Sequence, residues 1–210
     1  MLAFLAINAC GKMIAAMTFL GLRSFMNVLG EIKIFSFLPF RCVMRKAIVV
    51  MGVSGCGKST VGEAIAAKLG IEFQEGDRLH PQSNVEKMAA GIPLNDDDRW
   101  PWLDLIGEEL RNGIAKGGIV ISCSSLKKTY RERLRNACDG DLAFVFLNGS
   151  LELLTERMGA RTGHFMPLSL LTSQLATLED PTGEPGVVTV DISHSPEVIV
   201  ENALEGLKQA

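Results

Sequence analysis

Residues 47–60 read Ala47-Ile48-Val49-Val50-Met51-Gly52-Val53-Ser54-Gly55-Cys56-Gly57-Lys58-Ser59-Thr60. The short apolar run, rich in β-branched residues and closed by Gly52, has the character of a fully buried strand. From Lys58 to Leu69 apolar residues recur at helical spacing, so strand, glycine loop and helix follow in order. The loop matches G-x-x-x-x-G-K-[ST] in the context that the pattern requires. Its glycines let backbone N–H groups turn inward around phosphate oxygens, along a path that a Cβ obstructs. Lys58 then brings a point charge to the β- and γ-phosphates of a bound nucleotide. The Ser59 hydroxyl offers an oxygen to Mg2+, and Thr60 lies toward the α-phosphate. Cys56, in the variable part of the loop, reads as a bystander and not as a nucleophile. A glycine turn whose lysine faces water is the bland alternative, and random loops rarely satisfy both pattern and context.

Outward from this stretch the same alternation continues. Residues 71–74 form a brief second strand, and Pro81 opens a helix that runs toward Ala90 and closes at Gly91. Asn95, Asp96, Asp97 and Asp98 precede a helix through Trp102, Leu105, Ile106 and Leu110, with Asp98 as its cap. Strands are expected over 119–122, 142–147 and 187–192, and helices over 126–136, 151–158 and 196–207. Continuously apolar strands separated by helices predict an α/β fold whose parallel sheet is covered on both faces.

With 47% apolar and 21% charged residues in 210, the chain is neither collagen-like nor a charge-rich disordered protein. Residues 44–210 carry 17 basic against 23 acidic side chains, which argues against a general nucleic-acid surface. The five cysteines are odd in number and form no CxxC or Cys/His cluster, which favours a reducing compartment and no zinc. Residues 1–43 differ in composition, holding six of the ten Phe and four of the nine Met. Lys12 interrupts their apolar run short of the roughly 18 residues of a membrane span. No basic residue precedes that run, as a secretory peptide would want. A weak targeting segment, an added helix and translation from an upstream start are the three readings. Met44, directly before Arg45, Lys46 and the first strand, favours the last. The expected organisation is an atypical extension over 1–43 and one domain over 44–210.

A phosphate cradle alone does not separate a kinase from a nucleotide-driven switch. Glu75-Gly76-Asp77-Arg78-Leu79-His80 follows the second strand, at the sheet edge where open α/β folds place ligands. Asp77 is suited to accept the proton of an attacking hydroxyl while Glu75 holds Mg2+, directly or through water. His80 either hydrogen-bonds a polar substrate or caps the next helix. The third strand ends without an aspartate, which shifts any metal duty toward Glu75 and Asp77. Ser124 and Ser125 contact phosphate or cap the following helix, on which Lys127 and Arg131 share a face by their i,i+4 spacing. Arg157 and Arg161 have the same spacing, and Gly159 and Gly163 suit a lid near 159–168 that closes over the phosphates.

Residues 46–207 resemble the gluconokinases, within the shikimate-kinase and adenylate-kinase class. The residues that carry the resemblance are the loop at 52–60, Gly76-Asp77-Arg78-Leu79-His80-Pro81, residues 84–88, Gly91-Ile92-Pro93-Leu94-Asn95-Asp96-Asp97-Asp98-Arg99, Pro101-Trp102-Leu103, residues 123–131, Arg161-Thr162-Gly163-His164-Phe165 and Ser173-Gln174. The resemblance implies a three-layer fold like the P-loop nucleoside-triphosphate hydrolases, with a five-stranded parallel sheet in the order 2-3-1-4-5. It also implies transfer of the γ-phosphoryl group of ATP to the 6-hydroxyl of D-gluconate and a cytoplasmic homodimer; the charge balance and the interrupted apolar run separately lead us to expect no nucleic-acid partner and no stable membrane association.

Carried over by position, Asp77 resembles the residue that orients and deprotonates the sugar hydroxyl. His80, Arg99, Lys127, Lys128 and His164 become candidates around the acid sugar. Arg157 resembles a residue packed on adenine, and Arg161 a lid arginine near the phosphates. Asp191 is an adenine-side candidate whose alternative role is a turn or cap. Glu75 stands where Asp is common, and Ser125, in place of a common Ala, needs a polar partner if buried. A shikimate, nucleoside or other small-molecule kinase is the nearest alternative, and a nucleotide-dependent switch the alternative of a different class.

Overall fold

The structure is a computed structural model that describes residues 45–159 and 168–210. Five strands form one sheet: β1 (Ala47–Met51), β2 (Glu72–Glu75), β3 (Ile119–Ser122), β4 (Leu142–Asn148) and β5 (Val187–Asp191). Their order is β2-β3-β1-β4-β5 and every pairing is parallel, in agreement with the expected topology. Seven α-helices accompany them among the described residues, α1 (Lys58–Leu69), α2 (Gln82–Ala89), α3 (Asp96–Lys116), α4 (Lys128–Ala137), α5 (Leu151–Gly159), α6 (Leu168–Thr177) and α7 (Pro196–Leu207), and Gly76–Leu79, which holds Asp77, forms a 3-10 turn.

The pleat of the central strand explains the layering. All five β1 residues are fully buried. Because successive side chains point to opposite faces, Ile48 and Val50 join Ile65 of α1 and Ile199 of α7 on one side of the sheet. Ala47, Val49 and Met51 join Trp102, Leu103 and Leu110 of α3 and Leu134 of α4 on the other. Helices thus cover both faces of the central strands, as parallel sheets require. No described helix is long and apolar enough to cross a membrane.

Local differences from the sequence reading have physical causes. β2 begins at Glu72 and ends at Glu75, one residue later than expected, because the register on β3 pairs Glu75 with Ser122. Asn95, not Asp98, caps α3: its Oδ1 accepts the Asp98 amide at 2.9 Å, while the Asp98 carboxylate accepts the Asn95 amide at 3.1 Å. This is a capping box in which Asp98 is the third helical residue. Neither Ser124 nor Ser125 caps α4, which opens at Lys127 with no side-chain cap. The sequence reading contained no helix at α6, whose Leu171 is fully buried and whose Leu175 packs on the core.

Candidate active site

β1 delivers the phosphate loop to the carboxyl edge of the sheet, and the loop's backbone shows why glycine is required. Gly57, immediately before α1, has φ +97° with open space where a Cβ would stand, so conformation alone selects glycine there. The opposite reason holds at Gly76, where a Cβ would lie 2.1 Å from the Ser122 carbonyl oxygen. That close approach ties the β2 end to β3, and the Ser122 hydroxyl accepts the Gly76 amide at 3.2 Å while donating to the Glu75 carboxylate.

These two loops face one cleft of about 550 Å3. Ser54, Gly55, Gly57, Lys58 and Ser59 line it from the phosphate side, and Glu75, Asp77, His80 and Arg99 from the other. Lys58 Nζ lies back over the loop and donates to the Val53 carbonyl at 3.2 Å. The Gly52 amide donates to the Ser124 carbonyl at 3.4 Å, joining the loop to the end of β3. Cys56 is buried, and burial, opposed by Lys58, raises its thiol pKa. Cys123 is pushed up to about 11 by burial. Both thiols are therefore protonated at neutral pH and are poor nucleophiles.

His80 stacks on Trp102 with ring centroids 4.1 Å apart and 15° between planes. Burial, helped by Arg99 and opposed by Asp77, lowers its pKa, so the imidazole is neutral at pH 7. Arg99 donates to the Tyr130 hydroxyl at 3.3 Å and lies 4.0 Å from Asp96. Lys127 grips both Asp96 oxygens at 2.8 Å and does not line the cleft. Lys128 points outward, with its side chain 60% exposed and its ammonium 3.9 Å from Glu132.

Lys127 and Arg131 do not share a face. Lys127 has extended backbone before the helix, so the i,i+4 rule does not apply. Arg131 is instead fully buried, donating to Glu184 and to the Ser125 and Leu126 carbonyls. Ser125, buried with φ +44°, finds its partner in Cys123 Sγ at 3.2 Å.

Arg157 belongs to a second recess of about 230 Å3 on the far side of the loop, with Gly55, Gly57, Thr60, Pro196 and Ile199. Its guanidinium donates to the Ile192 carbonyl at 2.6 Å. Asp191 is exposed at the end of β5 and accepts the Ser193 amide at 2.8 Å, forming a turn outside both recesses. Arg161 and His164 lie outside the described residues, as do the extension over 1–43 and most of the expected lid.

Sequence reading gave no role to Gln174, which lines the cleft, or to Ser122 and Asn84, which contact the lining residues Glu75 and His80. Gln174 Oε1 accepts the Ser54 amide at 2.7 Å. These pairings join residues far apart in the chain or across a turn, where local pattern is silent.

The fold and a phosphate loop that shares one cleft with Asp77 are those of a phosphate-loop kinase of small molecules, and a family model described as shikimate kinase matches residues 54–204. The chain is 50% identical over 158 residues to the gluconokinase of Gluconobacter oxydans (strain 621H), covering 75% of this chain and 88% of that one. It is also 46% identical over 171 residues to a probable gluconokinase of Dictyostelium discoideum, covering 77% and 86%. A crystal structure of a gluconokinase from Sinorhizobium meliloti 1021 matches with TM-score 0.74 at 57% identity, over 79% of this chain and 93% of that one. The chain belongs to the gluconokinase family.

Proposed function

We propose that this protein transfers the γ-phosphoryl group of ATP to the 6-hydroxyl of D-gluconate. One observation carries the reading: the phosphate loop and the Asp77 loop open onto the same cleft, in a chain half identical to a gluconokinase. The triphosphate lies along the amides of residues 52–60, and Lys58 swings from the Val53 carbonyl to meet its terminal oxygens. Adenine extends toward the recess beside Arg157. Asp77 aligns the sugar hydroxyl and takes its proton as the new P–O bond forms. His80 and Arg99 hold the rest of the acid sugar, Arg99 by countering its carboxylate. Arg161 and His164 complete the site from the lid in this proposal. The transfer is direct, from ATP to the sugar hydroxyl, and calls for no covalent enzyme intermediate.

Among the described residues there is no group of three or more His, Cys, Asp or Glu able to hold a metal by themselves. The hard oxygens of Ser59 and Glu75 on the cleft wall nevertheless fit Mg2+ shared with nucleotide phosphates. When bound, Mg2+ would neutralise charge on the phosphate oxygens, with Ser59 and Glu75 holding it. A cytoplasmic homodimer that engages neither nucleic acid nor membrane completes the proposal.

The test is product identity. Incubation with MgATP and a panel of gluconate, shikimate and nucleosides should give 6-phosphogluconate and stoichiometric ADP with gluconate alone. Phosphorylation of another acceptor in preference, or ATP hydrolysis with no phosphorylated sugar acid, would overturn it.

A further inference from the structure

Asn84 on α2 is 2% exposed, four residues beyond His80. Its Nδ2 donates to the Asp98 carbonyl oxygen at 2.7 Å and faces His80 Nδ1 at 3.3 Å. The two contacts use the two N–H bonds of one amide group. The Asp98 carbonyl decides which way that amide is turned. Turned over, Oδ1 would oppose a carbonyl oxygen at hydrogen-bond distance, two acceptors with no proton between them. His80 Nδ1 must then be the acceptor, and a neutral imidazole so engaged carries its proton on Nε2. A protonated ring would set two donors face to face, so Asn84 disfavours the imidazolium as well.

Each group that orients the ring is itself anchored. Trp102, stacked on His80, donates from Nε1 to the Gly76 carbonyl at 2.8 Å. Asp98 is held by the capping box and by Lys87 at 2.6 Å. Nδ1 is committed to Asn84, which leaves Nε2 as the nitrogen available to the cleft that His80 lines.

We infer that Asn84 is a positioning residue for acceptor recognition: it fixes the His80 tautomer so that Nε2–H is a standing donor to an oxygen of the sugar acid. This rests on the acceptor-binding role proposed for His80. A donor fixed in this way rewards an acceptor oxygen at one place and leaves a buried N–H unpaired when that oxygen is missing, which is how polar sites discriminate.

The tautomer can be read without substrate. Long-range 1H–15N correlation of His80 in the 15N-labelled full chain at pH 7 should show a protonated Nε2 and a bare Nδ1; a proton on Nδ1 would overturn the inference. This readout needs no turnover, so its failure is distinct from failure of the gluconokinase reading.

Kinetics tests the consequence. Asn84→Leu should raise the gluconate KM about tenfold, the scale of one lost hydrogen bond, with the ATP KM unmoved. His80→Gln sets an amide N–H near the place of Nε2–H and needs no tautomer. Adding Asn84→Leu to it should change the gluconate KM by less than about twofold. If Asn84 merely staples α2 to α3, the tenfold loss recurs in both backgrounds, and that result would refute the positioning role. Should Asn84→Leu fail to fold, Asn84→Ala removes the same donor with less bulk; the same spectrum should then show the proton shared between Nδ1 and Nε2, and an unchanged tautomer would count against the inference.

Discussion

Gln174 of α6 reaches onto the phosphate loop, where its Oε1 accepts the Ser54 amide at 2.7 Å. An amide of the phosphate loop is thus met by a neutral carbonyl oxygen, and in the proposed binding mode a nucleotide phosphate competes for it. Gln174→Glu puts a full negative charge at the same place, where it binds the amide more strongly and repels the incoming triphosphate. Calorimetry should show ATP binding weakened about tenfold, in line with a charge-assisted bond in place of a neutral one. Unchanged or tighter binding would show that the Gln174 contact does not compete with phosphate.

Lys58 gives the resting loop one hydrogen bond, to the Val53 carbonyl, while in the proposed mechanism it is the cation directed at the transferring group. Lys58→Ala should lower kcat by about 100- to 1,000-fold, the range found when a donor to developing charge is removed. Thermal unfolding should move little, since the lysine side chain is partly exposed and its hydrogen bond is to the neighbouring Val53 carbonyl. A variant that keeps wild-type kcat would remove Lys58 from the mechanism.

The Arg131–Glu184 pair bears on stability and on its pH dependence. Burial alone raises the Glu184 carboxyl, but hydrogen bonds from Arg131 and Arg135 outweigh it and leave the pKa below its ordinary 4.5. A depressed folded-state pKa means that the unfolded chain binds the proton more readily. The contribution is therefore complete above about 4.5 and is lost as pH falls through the lower folded value. Glu184→Gln should flatten this acid limb in denaturation measured from pH 7 to 3. Arg131→Met removes a fully buried cation along with its charge pairing. Glu184→Gln, which strands that cation, should cost about 3–5 kcal/mol at pH 7 and the Met variant less. An equal or larger loss for Arg131→Met would contradict this ordering.

The parts legible in the sequence were those written contiguously. The β1 strand, its loop and α1 form one uninterrupted signal, and continuously apolar strands were enough to predict a covered parallel sheet. The β2 boundary was less legible because an edge strand reading Glu72-Phe73-Gln74-Glu75 has no apolar run. Asn95 and Asp98 are both capping types three residues apart, and only the reciprocal bonds show which is the cap. Lys127 and Arg131 were grouped by helical spacing, which has meaning only when both residues are inside the helix. The partnerships of Gln174 with Ser54 and Ser122 with Glu75 depend on tertiary register, which no local pattern encodes. For α6, Leu171 and Leu175 at i,i+4 were the available signal, masked by Ser and Thr between them.

The central claim is that the phosphate cradle and the Asp77 loop serve one phosphoryl transfer, and Asp77→Asn tests it most directly. The substitution keeps the side chain's size and removes its capacity to take a proton. ATP binding, measured by calorimetry, should stay within about threefold of wild type. Gluconate-dependent kcat should fall by about 100- to 10,000-fold, the range of general-base contributions. Normal kcat in this variant, with nucleotide bound as before, would contradict the account.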